Sequence, residues 1–378
     1  MSSQIESLAQ KPEQKKALFA LIQSTFPKGE AQSSPKDLDI EFSALLNQEN
    51  HKRVLFICEN ESPVASVSWR PFKMPDGLMG AAIGLVVTHS DHQKNGYSKR
   101  LLAEAESRAK AEGAALACLW SNLTDFYEKR GYVLCGSELS WDISKTNFKE
   151  SGDFTIEEAS HTAIETFHSI YRDLQVGPLR ESIDYERQLE QSDSEALLAK
   201  NKSGQIVAYA LLGKGRDLRN VVHELIGDFE AFPSLLKVCQ ASIPSESDTP
   251  LRLQFPFSHP QTTALEHTLG AADQGAVCFA KVLELKPLVD VLNKELQSQG
   301  LKALNIVLPE IHDGLQPWCL KKADVEESLF ISPDPAHLLQ IFASPWPLED
   351  IEGLSDEVKA ALSSWTPYPL YFWGMDSV

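Results

Sequence analysis

The residues best placed to do chemistry form one short loop: Gln93, Lys94, Asn95, Gly96, Tyr97 and Ser98. Glycine in such a loop allows close approach to the main chain, and Lys94, Lys99 and Arg100 put positive charge beside it. Where a loop opens a helix, its N–H groups lack intrahelical acceptors and point outward with the positive end of the helix dipole. That arrangement favours an anion, and a phosphate above all. A glycine loop alone is weak evidence, so the neighbouring elements decide its meaning.

The loop follows Ala81-Ala-Ile-Gly-Leu-Val-Val-Thr88, an apolar run that reads as a strand buried on both faces. Gly84 inside it marks a bulge or a close backbone approach. Val86 and Val87 are core side chains, so only their main chain is available to a ligand. Beyond the loop, Tyr97 to Glu112 is rich in Ala, Glu, Lys and Arg and stops at Gly113. This predicts a helix with Leu101, Leu102, Ala105 and Ala109 on its buried stripe. Ala114 to Trp120 repeats the buried-strand pattern. Asn122 stands where a helix N-cap belongs, with Asp125 three residues on, and Gly131 ends that helix, which carries Tyr127.

On these residues the segment resembles the GNAT superfamily of N-acetyltransferases. Gln93-x-x-Gly96-x-Ser98 after a valine-rich strand is similar to that superfamily's acyl-CoA pyrophosphate loop. Gln93 replaces the usual first arginine and Ser98 the usual glycine or alanine; neither change removes a backbone donor. Phe126-Tyr-Glu-Lys-Arg-Gly-Tyr132 resembles the second signature. The resemblance implies acetyl-CoA as co-substrate on residues 93–98, with backbone contacts from Val86 and Val87 to the thioester. It implies Tyr127 as the general acid on the leaving thiolate, a task that suits a phenol of pKa about 10. Asn122 is a candidate coenzyme contact, although capping its helix is the favoured role. His89 and His92 read as surface residues.

Composition bounds the remainder. A chain of 378 residues is too long for one core of this kind, so two or three domains are expected. The net charge of −18 argues against nucleic acid or an anionic membrane as partner and is compatible with a cationic amine. The N-terminus has no apolar run, so neither signal peptide nor membrane span is expected. The six cysteines lie far apart and read as reduced core thiols of a cytoplasmic protein, with no metal site.

Helices over 14–26 and 37–48, strands over 53–58 and 65–70, and two extended stretches within 133–143 frame the signature unit. From Phe154 the same order recurs, with helices at 162–174 and 179–191, a hairpin over 196–212 and a strand at 221–226. The following loop, Gly227-Asp-Phe-Glu-Ala-Phe-Pro233, places Asp228 and Glu230 near where phosphates would sit and carries no basic residue. A second GNAT-like domain that does not bind coenzyme is therefore expected. Pro287 opens a further helix ending at Gly300, and strands at 304–308 and 325–331 and helices at 335–343 and 355–362 follow. The end, Tyr368-Pro-Leu-Tyr-Phe-Trp-Gly-Met-Asp-Ser-Val378, is too aromatic for a loose tail.

The expected class is α/β, with domains at 1–145, 153–281 and 282–378. This organisation resembles acetyltransferases of the enhanced-intracellular-survival type, whose tail domain is similar to a sterol carrier protein. That resemblance implies that the Val378 carboxylate helps to deprotonate the amine. The function expected is acetyl transfer to a primary amine, a small cation or a lysine, by direct attack, since no cysteine sits beside a histidine. Non-catalytic acyl-CoA sensing and mycothiol-synthase-like transfer stay open, as does homo-oligomerisation.

Overall fold

The computed structural model of the chain describes residues 4–25, 38–149, 152–190, 194–214, 218–244, 247–310, 316–323 and 325–376. The first part runs β1 (Ile5–Ser7), α1 (Lys15–Thr25), α2 (Leu38–Glu41), α3 (Ser43–Leu46), β2 (Val54–Glu59), β3 (Ser62–Lys73), β4 (Met79–Thr88), α4 (Tyr97–Ala111), β5 (Leu116–Leu119), α5 (Thr124–Glu128), β6 (Val133–Cys135) and β7 (Glu138–Asp142). The second runs β8 (Phe154–Glu158), α6 (Ile164–Leu174), α7 (Ser182–Leu189), β9 (Glu195–Asn201), β10 (Ile206–Leu212), β11 (Val221–Gly227), α8 (Phe232–Ser242), β12 (Arg252–Pro256), α9 (Thr262–Leu269), β13 (Asp273–Gly275) and β14 (Cys278–Val282). The third holds α10 (Leu285–Ser298), β15 (Leu304–Val307), β16 (Trp318–Lys322), β17 (Ser328–Ser332), α11 (Ala336–Phe342) and α12 (Asp356–Ala361).

Among the described residues, two seven-stranded sheets have the orders β1-β2-β3-β4-β5-β14-β6 and β13-β7-β12-β11-β10-β9-β8, beside a three-stranded antiparallel sheet β15-β16-β17. Each large sheet takes one strand from the other half of the chain. β14 lies between β5 and β6, with Phe279 opposite both Leu119 and Leu134 and Cys278 opposite Cys135. β7 lies between β12 and β13, with Leu139 opposite Phe255 and Gln274. Boundaries at 145 and 281 therefore do not separate the sheets. Alternation within β7 buries Leu139 and Trp141, and that pattern is the same whichever sheet receives the strand. The crossing from β6 to β7 turns at Gly136, with φ +75°, where a Cβ would lie 2.5 Å from Leu370 O, so only glycine fits.

Helix α4 packs its Leu101, Leu102, Ala105 and Ala109 on Ala81 and Ile83 of β4 and on Phe279 of β14. On the opposite face, Leu18, Leu21 and Ile22 of α1 and Leu45 and Leu46 of α3 cover Leu85 and Val87. The helix expected over 37–48 is instead two single turns broken at Phe42, followed by a 3₁₀ stretch whose cap, Asn47, accepts from Asn50 N at 3.1 Å. Helix α10 opens at Leu285, leaving Pro287 in the first turn, where its missing N–H costs nothing. Strand β16 went unforeseen; Trp318, Cys319 and Leu320 are buried in it. No helix among the described residues is long and apolar enough to cross a membrane.

Candidate active site

The site begins where two parallel strands part. β4 and β5 pair as far as Ala82–Cys118, yet β4 continues to Thr88, so its second half has a free edge on the β5 side. Between Ser66 and Ser68 of β3 the register slips by one: Ser68 faces Gly84, and Ser66 faces Val87. The extra residue makes a bulge, and its left-handed position is Leu85, with φ 51°, rather than the expected Gly84. A leucine there stores about 1–2 kcal/mol of strain. Ser66 Oγ donates to Leu85 O at 3.1 Å and steadies the kink.

The bulge inverts which residues face where. Ile83 packs toward α4 whereas Leu85 and Val87 pack toward α1 and α3, and Val86 returns to the α4 side. His89 N donates to Val64 O at 2.8 Å. The alternation of an antiparallel ladder then turns the main chain of Val87 toward β3 and those of Val86 and Thr88 toward the free edge. Of the two valines singled out from the sequence, Val86 therefore has its main chain on the open side, and Val87 has its peptide groups committed to β3.

Beyond Thr88 the chain passes through a short turn to Lys94 (φ 67°) and Gly96 (φ 78°), both left-handed, and enters α4 with Gly96 as its N-cap. Gly96 has no side chain to cap this helix end, where the first-turn N–H groups lack intrahelical acceptors. Gln93, Lys94, Asn95, Gly96 and Lys99 are exposed. Thr88 Oγ1 and Ser98 Oγ share a 2.7 Å hydrogen bond that ties the strand end to the helix start. Tyr97 turns away, its hydroxyl donating to Glu59 Oε1 at 2.5 Å, so only its main chain faces the loop's mouth.

Tyr127 on α5 is buried among Phe126, Tyr132 and Phe279, with ring centroids 4.9, 5.7 and 5.9 Å away. Phe279 comes from β14, so the exchanged strand helps to build its setting. Burial raises the Tyr127 pKa, opposed by a hydrogen bond from Ser121 and the Arg130 charge, and the phenol keeps its proton. Asn122 does not cap α5. The N-cap is Leu123, whose N–H donates to Ser121 Oγ at 3.1 Å, and Asn122 is exposed. Serine two residues before the N-cap offers its N–H a better-placed acceptor than asparagine one residue before it.

On the α1–α3 side a cavity of 340 Å³ opens between the halves of the chain, lined among others by Asn50, Arg70, Phe72, Met79, Arg187 and Asp376. Arg70 stands opposite Ala82, at the point where β4 and β5 part. The tail reaches this place. Phe372 packs edge-on against Phe72 (4.9 Å) and Trp120 (5.2 Å), and Trp373 Nε1 donates to Val176 O at 2.9 Å. Arg180 binds Asp376 through two hydrogen bonds of 2.9 and 2.8 Å and Glu224 through two of 2.8 Å. Tyr209 donates to Glu224 at 2.5 Å, and the Arg180 guanidinium lies 3.9 Å over the Tyr171 ring. Burial pulls the Arg180 pKa down but the two carboxylates outweigh it, and the guanidinium stays charged. Burial raises the Glu224 pKa, opposed by Arg180. Arg70 donates to Asp376 O at 2.8 Å. Val378, the expected carboxylate, lies outside the described residues.

Sequence reasoning foresaw a docked tail but not the partners of Asp376, because Arg180 in a Gly-Pro-Leu-Arg run looks like a surface residue. Glu138, unremarked in the sequence, is half-buried with its carboxyl pushed up to about 7 by burial, Arg252 opposing. In the second domain, Asp228 caps its own turn by accepting from Glu230 N at 3.1 Å, so the loop after β11 closes on itself. Among the described residues no group of three His, Cys, Asp or Glu is placed to hold a metal.

Residues 9–135 match the acetyltransferase (GNAT) domain family. No curated protein matches the sequence. Among solved structures, a GCN5-related N-acetyltransferase from Anabaena variabilis superposes with TM-score 0.67 at 12% identity, over 99% of this chain and 100% of that one. Eis1 of Mycobacterium abscessus gives 0.61 at 12%, over 100% of both chains. A GCN5-related N-acetyltransferase from Kribbella flavida gives 0.58 at 13%, over 86% of both. At such identities the likeness is one of fold: a mixed α/β chain with GNAT-like sheets.

Proposed function

We propose that the chain is an acetyl-CoA-dependent N-acetyltransferase that passes an acetyl group directly to a primary amine. The observation carrying this reading is the fork at Ala82–Cys118, with the bulge at Leu85 above it and the glycine-opened helix α4 beyond. The diphosphate would lie on the N–H groups of residues 94–98, with Lys94 and Lys99 adding charge. The thioester carbonyl would accept from Val86 N–H on the free edge. Tyr127, kept protonated, would return a proton to the leaving thiolate. The amine would enter through the 340 Å³ cavity, where carboxylates of the tail, with Val378 the candidate base, deprotonate it. The α+β C-terminal part is read as sterol-carrier-like and as the support of that tail. We place the enzyme in the cytoplasm, with a small cationic amine or a lysine as acceptor.

Thermal-shift titration with acetyl-CoA, followed by thiol release across amines, polyamines and peptides, tests the reading. Stabilisation that rises with the logarithm of coenzyme concentration is expected, and Lys94→Glu should abolish it. No stabilisation of the wild type at millimolar coenzyme would overturn the assignment; stabilisation without release from any amine would leave a binding protein.

A further inference from the structure

The second sheet parts in the same manner as the first. Parallel pairing of β11 with β12 covers Val221–Arg252 and Val222–Leu253, yet β11 runs on to Gly227. At that fork lies a cavity of 160 Å³, lined by Ile170 and Leu174 of α6, Ile226 and Gly227 of β11, and His259, Pro260 and Gln261 just after β12. The carboxyl ends of parallel strands are where α/β sheets bind ligands.

Its walls are apolar apart from two side chains with unused hydrogen-bonding capacity. His259 is 5% exposed and packs against Phe255, the rings tilted at 53° with centroids 4.3 Å apart. Its Nδ1 accepts from Gln261 N at 3.0 Å, which assigns the ring proton of the neutral imidazole to Nε2. Burial keeps the ring neutral, its pKa pushed down to about 4. Nε2 is buried and has no hydrogen-bond partner among the described residues. Gln261 donates its amide N–H to Gly227 O at 3.0 Å, which leaves its Oε1 as a buried acceptor, also unpartnered. Buried polar groups are rarely left so, and a donor and an acceptor at one small cavity call for a complementary group.

We propose that this fork is a second small-molecule site, one that takes a short neutral amide. The ligand's carbonyl accepts from His259 Nε2–H, its N–H donates to Gln261 Oε1, and its alkyl part rests on Ile170, Leu174 and Ile226. A nucleotide is excluded, because Asp228 and Glu230 stand at the end of β11 where a diphosphate would lie. A cavity of this volume accepts about six heavy atoms, the size of benzene. The inference is independent of acetyl transfer in the first domain.

The test uses the full chain with N-ethylacetamide as probe and 3-pentanone as a match in size that lacks the N–H. Saturable shifts of the His259 ring nitrogen resonances with the amide are expected, with the ketone binding at least about fivefold more weakly. His259→Phe, which keeps a ring against Phe255, and Gln261→Leu should each weaken the amide by about the same factor. Equal binding of amide and ketone, or no saturation by about 100 mM, overturns the proposal. Should a variant fail to fold, a wild-type crystal soaked in the amide decides: density bridging His259 and Gln261 supports the site, and water alone there refutes it.

Discussion

Replacing Arg180 by methionine would remove the one cation held between two buried carboxylates. Arg180, Glu224 and Asp376 expose 1, 0 and 3% of their side chains, so water cannot take over the lost partner. Breaking a buried ion pair from one side costs about 3–5 kcal/mol. Arg70, 3.7 Å from Asp376 Oδ1, still partners that carboxylate, whereas Glu224 loses its cation, so a loss within that range is expected at neutral pH. At least one carboxyl must then hold a proton, its folded pKa rising far above the ordinary carboxylate value. A raised folded pKa destabilises most above that pKa, and the penalty disappears as pH falls toward the unfolded value of about 4. Urea midpoints for wild type and Arg180→Met at about pH 5, 6.5 and 8 should therefore converge at the acidic end and separate by the full amount at the basic end. Adding Glu224→Gln to the variant should recover more than about 1 kcal/mol, since the buried carboxylate left without a cation is gone. A loss below about 1 kcal/mol, typical of exposed pairs, or one constant across this pH range, would refute the account of a dry, charge-coupled anchor.

Tyr127→Phe should lower kcat about 10²- to 10⁴-fold and leave acetyl-CoA affinity unchanged, by calorimetric titration of the coenzyme. A short extension after Val378 should lower kcat/KM for a good amine at least about tenfold without shifting Tm; unchanged kinetics would remove the terminal carboxylate from the mechanism. Glu138, whose folded pKa of about 7 exceeds its ordinary 4.5, stabilises below the ordinary value and loses that contribution as pH rises through 7. Glu138→Gln should flatten this window by up to about 3 kcal/mol in denaturation midpoints compared across it.

The strand–loop–helix geometry of residues 81–112 was legible because everything it needs is local: an apolar strand, a glycine at φ 78° and a well-patterned helix. The acidic character of the loop after β11 was legible for the same reason, since Asp228 and Glu230 are charges in plain sequence. The fork itself was half legible. Gly84 flagged the kink, but the strained residue is Leu85, held by a serine on the neighbouring strand that no local pattern connects to it. Asn122 misled because a capping preference is a competition, and Ser121 reached the backbone first. The strand exchange was not legible at all. Cys135 and Cys278 stand about 140 residues apart, and the alternation inside each strand says nothing about which sheet receives it. Arg180, Glu224 and Asp376 were similarly opaque, each an ordinary surface residue until three distant segments meet.

The exchange bears on how such a chain is made. Leaving the ribosome, the first domain possesses the loop before α4 and its tyrosine, but a gap stays open between β5 and β6 until Cys278–Val282 emerges. At about 5–20 residues per second the wait is roughly 7–30 s, with two unsatisfied strand edges exposed to neighbouring nascent chains. Cutting the gene at the apparent boundary near residue 145 would make that wound permanent, and such a fragment should aggregate. The second half thus cannot be discarded, because its strand β14 fills the gap in the first half's sheet.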